Sequence, residues 1–386
     1  MLGVTQIVNR TDGECFDETD EALFEAVAIF YGLGINNTIM YNEQKKITAM
    51  QSVALEVLSY HTSTSPQEAM VLAATTLPDQ VRNVNLKELL FDNFSLNSME
   101  MLAAGVEFFG QLGLVTKFNI DTQTTDVGNK ISDLEKLALL VGCFCHDLDH
   151  RGTNNAFHVK TQSPLALLYG TSATMEQHHF NHAVMILNSE GHNIFSSMSA
   201  ADYSAVMNLL KEAILATDLL LHFKAYKNFG PLVAEKKLDE TQPNHMHMLR
   251  SCLMTACDIS ACTKAWEIQC KVAEQIASEF WAQGDKEKQE LKVQPAAQMD
   301  RERMHDLPKL QKQWLEGICL PLYTTLANLS DGFQPMLAGI EDNYKKWGEL
   351  AETNSYEFSL VNGHAATPNA SPTDLFAEQN QRSLLT

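Results

Sequence analysis

The densest group of chemistry-bearing side chains is Cys145-His146-Asp147-Leu148-Asp149-His150-Arg151-Gly152-Thr153-Asn154-Asn155. It follows directly on an apolar run that holds Leu134, Leu137, Ala138, Leu139, Leu140 and Val141. His146 and Asp147 are adjacent, and His150 follows His146 at the i, i+4 spacing that shares one face of a helix. Imidazole and carboxylate delivered from one helix end suit a borderline or hard divalent cation. A ligating histidine also needs a partner for its other ring nitrogen, and Asp149 or Glu176 would serve. The competing reading is a solvated helix end that is merely polar. It is weakened because so apolar a helix has no evident reason to end in water.

Two further candidates stand apart from this cluster. Asp258 lies in Leu253-Met254-Thr255-Ala256-Cys257-Asp258-Ile259-Ser260-Ala261, an otherwise apolar helix, where a buried carboxylate needs a cation or a metal. The bland alternative is a cap or a pair with Lys264. Glu176-Gln177-His178-His179-Phe180 offers a carboxylate and two imidazoles, either structural or in support of a metal site. GxxxxGK[ST], GxSxG and a strand-borne GxGxxG are all absent, which removes the common nucleotide-kinase, serine-hydrolase and dinucleotide readings.

The elements that must position these residues read as helices. Ser132 followed by Glu135 is a capping box that starts the apolar helix. A helix apolar all round is expected in the centre of a large helical domain. Helical segments are predicted over Asp20–Phe30, stopped by Gly32 and Gly34, and over Ala49–Tyr60. More follow over Met175–Asn188, Ala200–Phe223, Met246–Trp266, Glu267–Trp281, Lys309–Ala327 and Phe333–Ala351. Strand alternation is nearly absent, so the fold class is all-α. The tail from Glu352 has no periodicity and reads as disordered.

The 386 residues carry 28 basic and 48 acidic side chains, a net charge of −20. That balance argues against nonspecific binding to nucleic acid or to an anionic membrane surface. The eight cysteines form no paired CxxC motifs and read as small buried hydrophobes in a reducing compartment. The longest strongly apolar run, Leu137 to Cys145, is far below the ~20 residues of a membrane-spanning helix. A cytoplasmic protein is expected.

HDLDHRGTNN, LMTACDISACTKAW and LPKLQKQWLEGICLPLY together resemble the catalytic domain of the mammalian-type 3′,5′-cyclic-nucleotide phosphodiesterases, within the HD metal-hydrolase superfamily. LYGTSAT, HHFNHAVMIL and SEGHNIF are most similar to the dual-specificity family 11 enzymes, which act on cAMP and cGMP. FEAVAIFYGLGINNTIMY resembles the end of a GAF domain. The resemblance implies a GAF remnant over 1–61, a helical connector and truncated start over 62–128, a catalytic domain over 129–351 and a tail over 352–386. It implies that His146, Asp147 and Asp258 are metal ligands, Asp147 bridging zinc and a second ion, usually magnesium. His150 and Glu176 match groups around the water of that site. Gln311 matches the residue that hydrogen-bonds the purine, Trp314 and Ile276 the clamp on its two faces, and Phe280 a pocket wall. Asn155 and Asp218 match polar pocket positions. The implied reaction is hydrolysis of cAMP and cGMP to 5′-monophosphates by a two-metal hydroxide mechanism, in a homodimer.

One family motif is missing. HNxxH precedes HD in the family, its first histidine donating a proton to the leaving 3′ oxygen and its second completing the zinc site. Of the 13 histidines here only His61 precedes His146, and it does not match. The junction near Thr125 and Asp126 reads as an excision, so this chain is expected to be severely impaired. The alternatives are an impaired isoform or gene-model fragment that binds or dimerises as a regulator, and, less favoured, an HD-type phosphohydrolase of another phosphate ester.

Overall fold

The computed structural model describes residues 6–8, 15–60, 70, 71, 74, 96, 97, 100, 101, 103–105, 107, 130–190, 192–353, 356 and 358. The Thr125–Asp126 junction, the connector after Tyr60 and nearly all of the tail lie outside them. Twelve α-helices and no strand occur among the described residues. The chain divides into two compact units, the first including Ser132–Ala225 and the second Asp121–Ile131 and Tyr226–Thr386.

The first unit opens with α1 (Glu18–Tyr60), one uninterrupted helix of 43 residues. This corrects the expectation that Gly32 and Gly34 end a helix. An isolated glycine costs only about 1 kcal/mol in a helix interior. The start is firmly capped instead: Asp17 Oδ1 accepts from the amides of Thr19 and Asp20, and the Asp17 amide donates to Asp20 Oδ2. Between Glu18 and Val57 the helix is long and apolar enough to cross a membrane by length and composition, with a mean hydropathy of 1.3. The estimate from Leu137–Cys145 did not consider this longer stretch. At its far end Val53 and Val57 bury against Leu165 and Met175.

Then come α2 (Asp133–Cys145), α3 (Asn155–Lys160), α4 (Pro164–Tyr169), α5 (Thr174–Asn188) and α6 (Ala200–Leu215). The capping box forms as expected, with Ser132 Oγ accepting from the Glu135 amide and Glu135 accepting from the Ser132 amide. Val206, Leu210 and Ile214 of α6 are fully buried, one helical turn apart, against Ala138 and Val141 of α2 and Ala183 and Leu187 of α5. Each such aliphatic side chain contributes about 1.5–3 kcal/mol. The apolar helix α2 is not central, however. Only Ala138, Val141 and Gly142 are buried, its leucines are half-covered, and Phe144 is 51% exposed.

The predicted helix over Ala200–Phe223 is two helices, α6 and α7 (Leu219–Ala234). Asp218 breaks it, because its Oδ1 accepts from the Leu220 amide at 3.0 Å and so opens a new helix. The second unit continues with α8 (Pro243–Asp258), α9 (Trp266–Lys286), α10 (Leu307–Trp314), α11 (Leu320–Leu329) and α12 (Gln334–Thr353). The expected helix over Met246–Trp266 stops at Asp258, where a 3₁₀ turn, Ser260–Thr263, takes over. A tertiary contact holds that turn: Asn343 Nδ2 of α12 donates to the carbonyls of Cys262 and Lys264 at 3.0 and 2.8 Å. A π-helical turn, Leu315–Cys319, joins α10 to α11 and brings Leu315 and Cys319 into the core with Leu322, Tyr323 and Leu326. All eight cysteines are free thiols.

Candidate active site

The HD cluster occupies the turn that ends α2. His146 is the C-cap, and Asp149 takes φ +59°, a left-handed conformation that aspartate tolerates better than most residues. His146 and His150 therefore do not share a helix face, contrary to the i, i+4 expectation, because the helix has already ended. Two bonds fix the turn at Asp149. Its Oδ2 accepts from His178 Nε2 at 2.7 Å and from Arg151 Nη2 at 2.7 Å. Arg151 also reaches Glu56 of α1 at 2.5 Å, tying the long helix to the cluster. Asp149, His178 and His182 bring ligand atoms within 4.8 Å of one another, and Arg151 is the cation that group already holds.

The residues toward Asp147 are arranged differently. His146 donates from Nδ1 to the Cys143 carbonyl at 2.9 Å, which leaves its Nε2 facing Asp147 Oδ2 at 3.4 Å. Asp147 is exposed. A nitrogen acceptor and a carboxylate oriented this way fit a divalent cation, with the second ring nitrogen held by a backbone carbonyl. His150 accepts the Gly152 amide on Nδ1 at 3.2 Å and so carries its proton on Nε2. Asn155 is locked between two partners: Nδ2 donates to Glu176 Oε2 at 2.9 Å and Oδ1 accepts from the Met175 amide at 2.8 Å. Burial pushes the Glu176 carboxyl upward, against the Asn155 hydrogen bond. Asp218 is buried and serves as the cap of α7.

His179 was read only as half of an ambiguous pair. It is 2% exposed, its Nδ1 donates to the Leu148 carbonyl at 2.6 Å, and its Nε2 lies 3.8 Å from Asp147 Oδ1. Burial lowers its pKa to about 4, so the ring is neutral at pH 7. Burial lowers His158 and His222 in the same direction. These rings fold neutral and must charge when the chain unfolds below about pH 6.5. Their contribution is complete above that pH and is lost as pH falls, for His179 toward about 4. For His179 the loss reaches about 3 kcal/mol. The raised Glu176 carboxyl has the opposite sign, costing stability above its usual range near 4.5. Urea unfolding of the metal-free chain is expected to show a lower midpoint for the first unit at pH 5.0 than at pH 7.5. Equal midpoints would mean that these rings are not held neutral.

In the second unit, Asp258 is the last residue of α8. It is exposed, which corrects the premise of a buried carboxylate: the helix ends on it and its side chain leaves the apolar face. A carboxylate at a helix C-terminus opposes the helix dipole and is favoured only with a cation nearby. Tyr323, fully buried, donates to the Ala256 carbonyl at 2.6 Å and pins that last turn. Gln269, Ile276 and Phe280 recur at i, i+7 and i+11 on α9, one face of the helix. Ile276 is 46% exposed, while Trp314 packs on the core of the unit. Trp347 Nε1 donates to Gln269 Oε1 at 2.8 Å, and Gln269 Nε2 donates to Gln311 Oε1 at 3.4 Å. Indole N–H is a donor only, so the direction of the whole chain is forced, and the Gln311 NH₂ group is the end not bonded to Gln269.

The profile of the 3′5′-cyclic nucleotide phosphodiesterase family matches residues 114–340, more than half of the sequence. The chain belongs to that family. Among curated relatives, the "Dual 3',5'-cyclic-AMP and -GMP phosphodiesterase 11A" of Takifugu rubripes is 47% identical over 408 residues, covering 96% of this chain and 44% of the relative. The "cGMP-specific 3',5'-cyclic phosphodiesterase" proteins of Drosophila ananassae and Drosophila melanogaster are each 42% identical over 388 residues. They cover 91% of this chain, and 33% and 34% of the relatives. The chain thus spans less than half the length of these phosphodiesterases. The alignment to the Takifugu rubripes protein extends over 408 positions although this chain has 386 residues, so the relative carries internal residues that this chain lacks. Gln269 and Trp347 escaped the sequence reading. The one available signal was the i, i+7 spacing of Gln269 to Ile276.

Proposed function

We propose that this chain binds cAMP and cGMP as a member of a hydrolase family that opens their cyclic phosphate, and that it does so with strongly reduced turnover. His146, Asp147 and Asp258 would hold the divalent ions, zinc and magnesium. Bound there, the ions supply Lewis-acid polarisation of the phosphate and offset charge as the P–O bond breaks. Glu176 and His150 orient water near that site, and Asn155 keeps Glu176 in place. Asn155 and Asp218 belong to the polar side of the nucleotide pocket. Ile276 and Trp314 clamp the purine faces, with Phe280 as a wall. The protein itself is expected in the cytoplasm as a homodimer, with the GAF-like stretch of α1 as the contact, and without nucleic-acid or membrane partners. A purine clamp has no use in a phosphohydrolase of another ester, which disfavours that reading.

The observation that carries this proposal is the directional hydrogen-bond chain Trp347–Gln269–Gln311. It fixes which end of the Gln311 amide is left to donate, and that supports the reading of Gln311 as the group that meets a purine edge. A neutral hydrogen bond is worth about 1 kcal/mol, or about fivefold in binding. Trp347→Phe frees Gln269 to rotate and is expected to change the ratio of Kd values for cAMP and cGMP by about five- to tenfold. Gln311→Ala is expected to weaken both. Calorimetric titration of each nucleotide measures this. Binding that is unaffected by Gln311→Ala would overturn the purine site.

A further inference from the structure

We infer that the start of the C-terminal tail, through Tyr356, positions the glutamine that meets the base and so helps to set the preference between the two nucleotides. This rests on the proposed role of Gln311 as the purine-reading residue.

The tail has no periodicity in its sequence, yet two of its aromatic residues return to the second unit. Tyr356 stands three residues beyond the end of α12 and is half-buried, and Phe358 is buried. Both land on α9, the helix that carries Gln269. Tyr356 Oη donates to Glu274 Oε1 at 2.7 Å. Glu274 is buried and follows Gln269 by five residues on α9. A buried carboxylate is costly unless it accepts hydrogen bonds, so the phenol answers part of a need that α9 creates. Burial, and then the Glu274 carboxylate, push the Tyr356 pKa upward, so the phenol remains a donor at neutral pH. Phe358 packs farther along the same helix on Trp281, with ring centroids 5.0 Å apart. One polar and one apolar anchor therefore fix this part of the tail to α9.

The Tyr356 ring meets the residue that directs the glutamine relay. It stands 5.3 Å from the Trp347 ring, and Trp266 of α9 stands 4.9 Å from the same indole. Tilted ring pairs at these separations are favourable beyond the area they bury. Trp347 is fully buried, so its indole cannot leave, and its neighbouring rings set its tilt. That tilt aims Nε1–H at Gln269 Oε1, and the bond at 2.8 Å decides which end of Gln269 faces Gln311. The arrangement closes on itself. α9 carries Gln269, which accepts from the indole of α12, and Glu274, which accepts from the phenol of the tail. The tail thus ties the indole donor to the helix of its own acceptor. An amide released from such a relay can rotate and offer its other end. Adenine carries an amino donor where guanine carries a carbonyl acceptor, so rotation changes the preference between cAMP and cGMP rather than weakening both alike.

The test follows the indole and the nucleotides separately, in the whole chain. The chain has four tryptophans, so nitrogen-15 labelling gives four indole N–H signals, and Trp347→Phe identifies the one from Trp347. Tyr356→Ala is expected to shift that signal. It is also expected to change the ratio of Kd values for cAMP and cGMP by about fivefold, in the direction of Trp347→Phe. Added to Trp347→Phe it is expected to change the ratio no further, because both act through one indole. Tyr356→Phe keeps the ring and loses only the hydroxyl. A change of about twofold in the same direction is expected from it, which decides the question where the alanine variant folds poorly. A Trp347 signal that neither variant moves overturns the inference. So does an equal loss of affinity for both nucleotides, which would mark Tyr356 as structural only. A ratio that Trp347→Phe changes and Tyr356→Ala does not also overturns it, confining the tail to packing. An indole that moves while neither Tyr356→Ala nor Trp347→Phe changes the ratio overturns instead the reading of Gln311 beneath it.

Discussion

Inserting an HNxxH-bearing segment between Thr125 and Asp126 is expected to raise turnover of cAMP and cGMP by about 10²–10⁴-fold, the range that a positioned general acid contributes. The chain as it stands has one histidine before His146, and that residue, His61, does not stand in the motif. When the cyclic phosphate opens, water adds at phosphorus and the 3′ oxygen leaves, and that oxygen must take up a proton. His150 carries a proton on Nε2, but it belongs to the turn that would hold the ions on the proposed function, rather than to a group dedicated to the leaving oxygen. On the proposed function, binding and positioning would be retained while the proton step would not. The decisive comparison is between two inserted chains, one with the motif intact and one with its first histidine changed to asparagine. A rate gain in the first that is lost in the second assigns the effect to proton donation. Equal gains in both would show that the segment acts only by covering apolar surface, and no gain would mean that another group already donates the proton. Covering matters in its own right: Phe144 is 51% exposed and the α2 leucines are half-covered, and each 100 Å² buried there is worth about 2.5 kcal/mol. The inserted chain is accordingly expected to unfold at higher urea.

Helices with strong local signals were legible from sequence alone. The Ser132–Glu135 capping box marks the start of α2 to the residue, and the all-α class follows from the period of the apolar positions. What local patterning missed was decided by contacts distant in sequence or by single polar side chains. Asp218 splits one apolar stretch into α6 and α7 by capping the second, although its neighbours alone favour continuation. Gly32 and Gly34 do the reverse, sitting inside a helix that their local cost is too small to stop. At the site, the types were legible and the geometry was not. His146 and His150 fit a helical face on paper, but Asp149 at positive φ ends that face between them. The orientation of Gln311 depends on Trp347, a residue on α12 with no sequence relation to the purine motif. The direction of His179 depends on a carbonyl 31 positions away.

Gly339→Ala should be among the most damaging single methyl groups that can be added to the second unit. A Cβ at Gly339 of α12 would stand 2.3 Å from the Thr263 carbonyl oxygen and 3.2 Å from its carbon. Both are backbone atoms, so no side-chain rotation relieves the overlap, and the 3₁₀ turn Ser260–Thr263 must move. That turn is also held from α12 by Asn343, whose Nδ2 bonds to Cys262 and Lys264 would lengthen as it moves. Overpacking of this kind costs about 1–3 kcal/mol and sometimes more, against about 1 kcal/mol gained from the better helix propensity of alanine. With a backbone oxygen only 2.3 Å away the cost falls at the upper end of that range, and the expected net loss is up to about 2 kcal/mol, read as a fall in the urea midpoint at unchanged slope. Gly34→Ala in α1 is the counterpart. Nothing lies within 4 Å of its added Cβ, so propensity acts alone and a gain of about 1 kcal/mol is expected. The opposite signs separate close backbone approach from helix propensity, since the substitution is the same in both. The position has a functional consequence as well. Thr263 follows Asp258 by five residues at the end of α8, and Tyr323 holds the turn from the other side through the Ala256 carbonyl. A turn displaced by Gly339→Ala carries Asp258 with it, so zinc affinity should fall together with stability. Gly34→Ala should raise stability and leave zinc affinity unchanged. A neutral Gly339→Ala would show that α12 and the turn do not approach this closely and that Asp258 is positioned by Tyr323 alone.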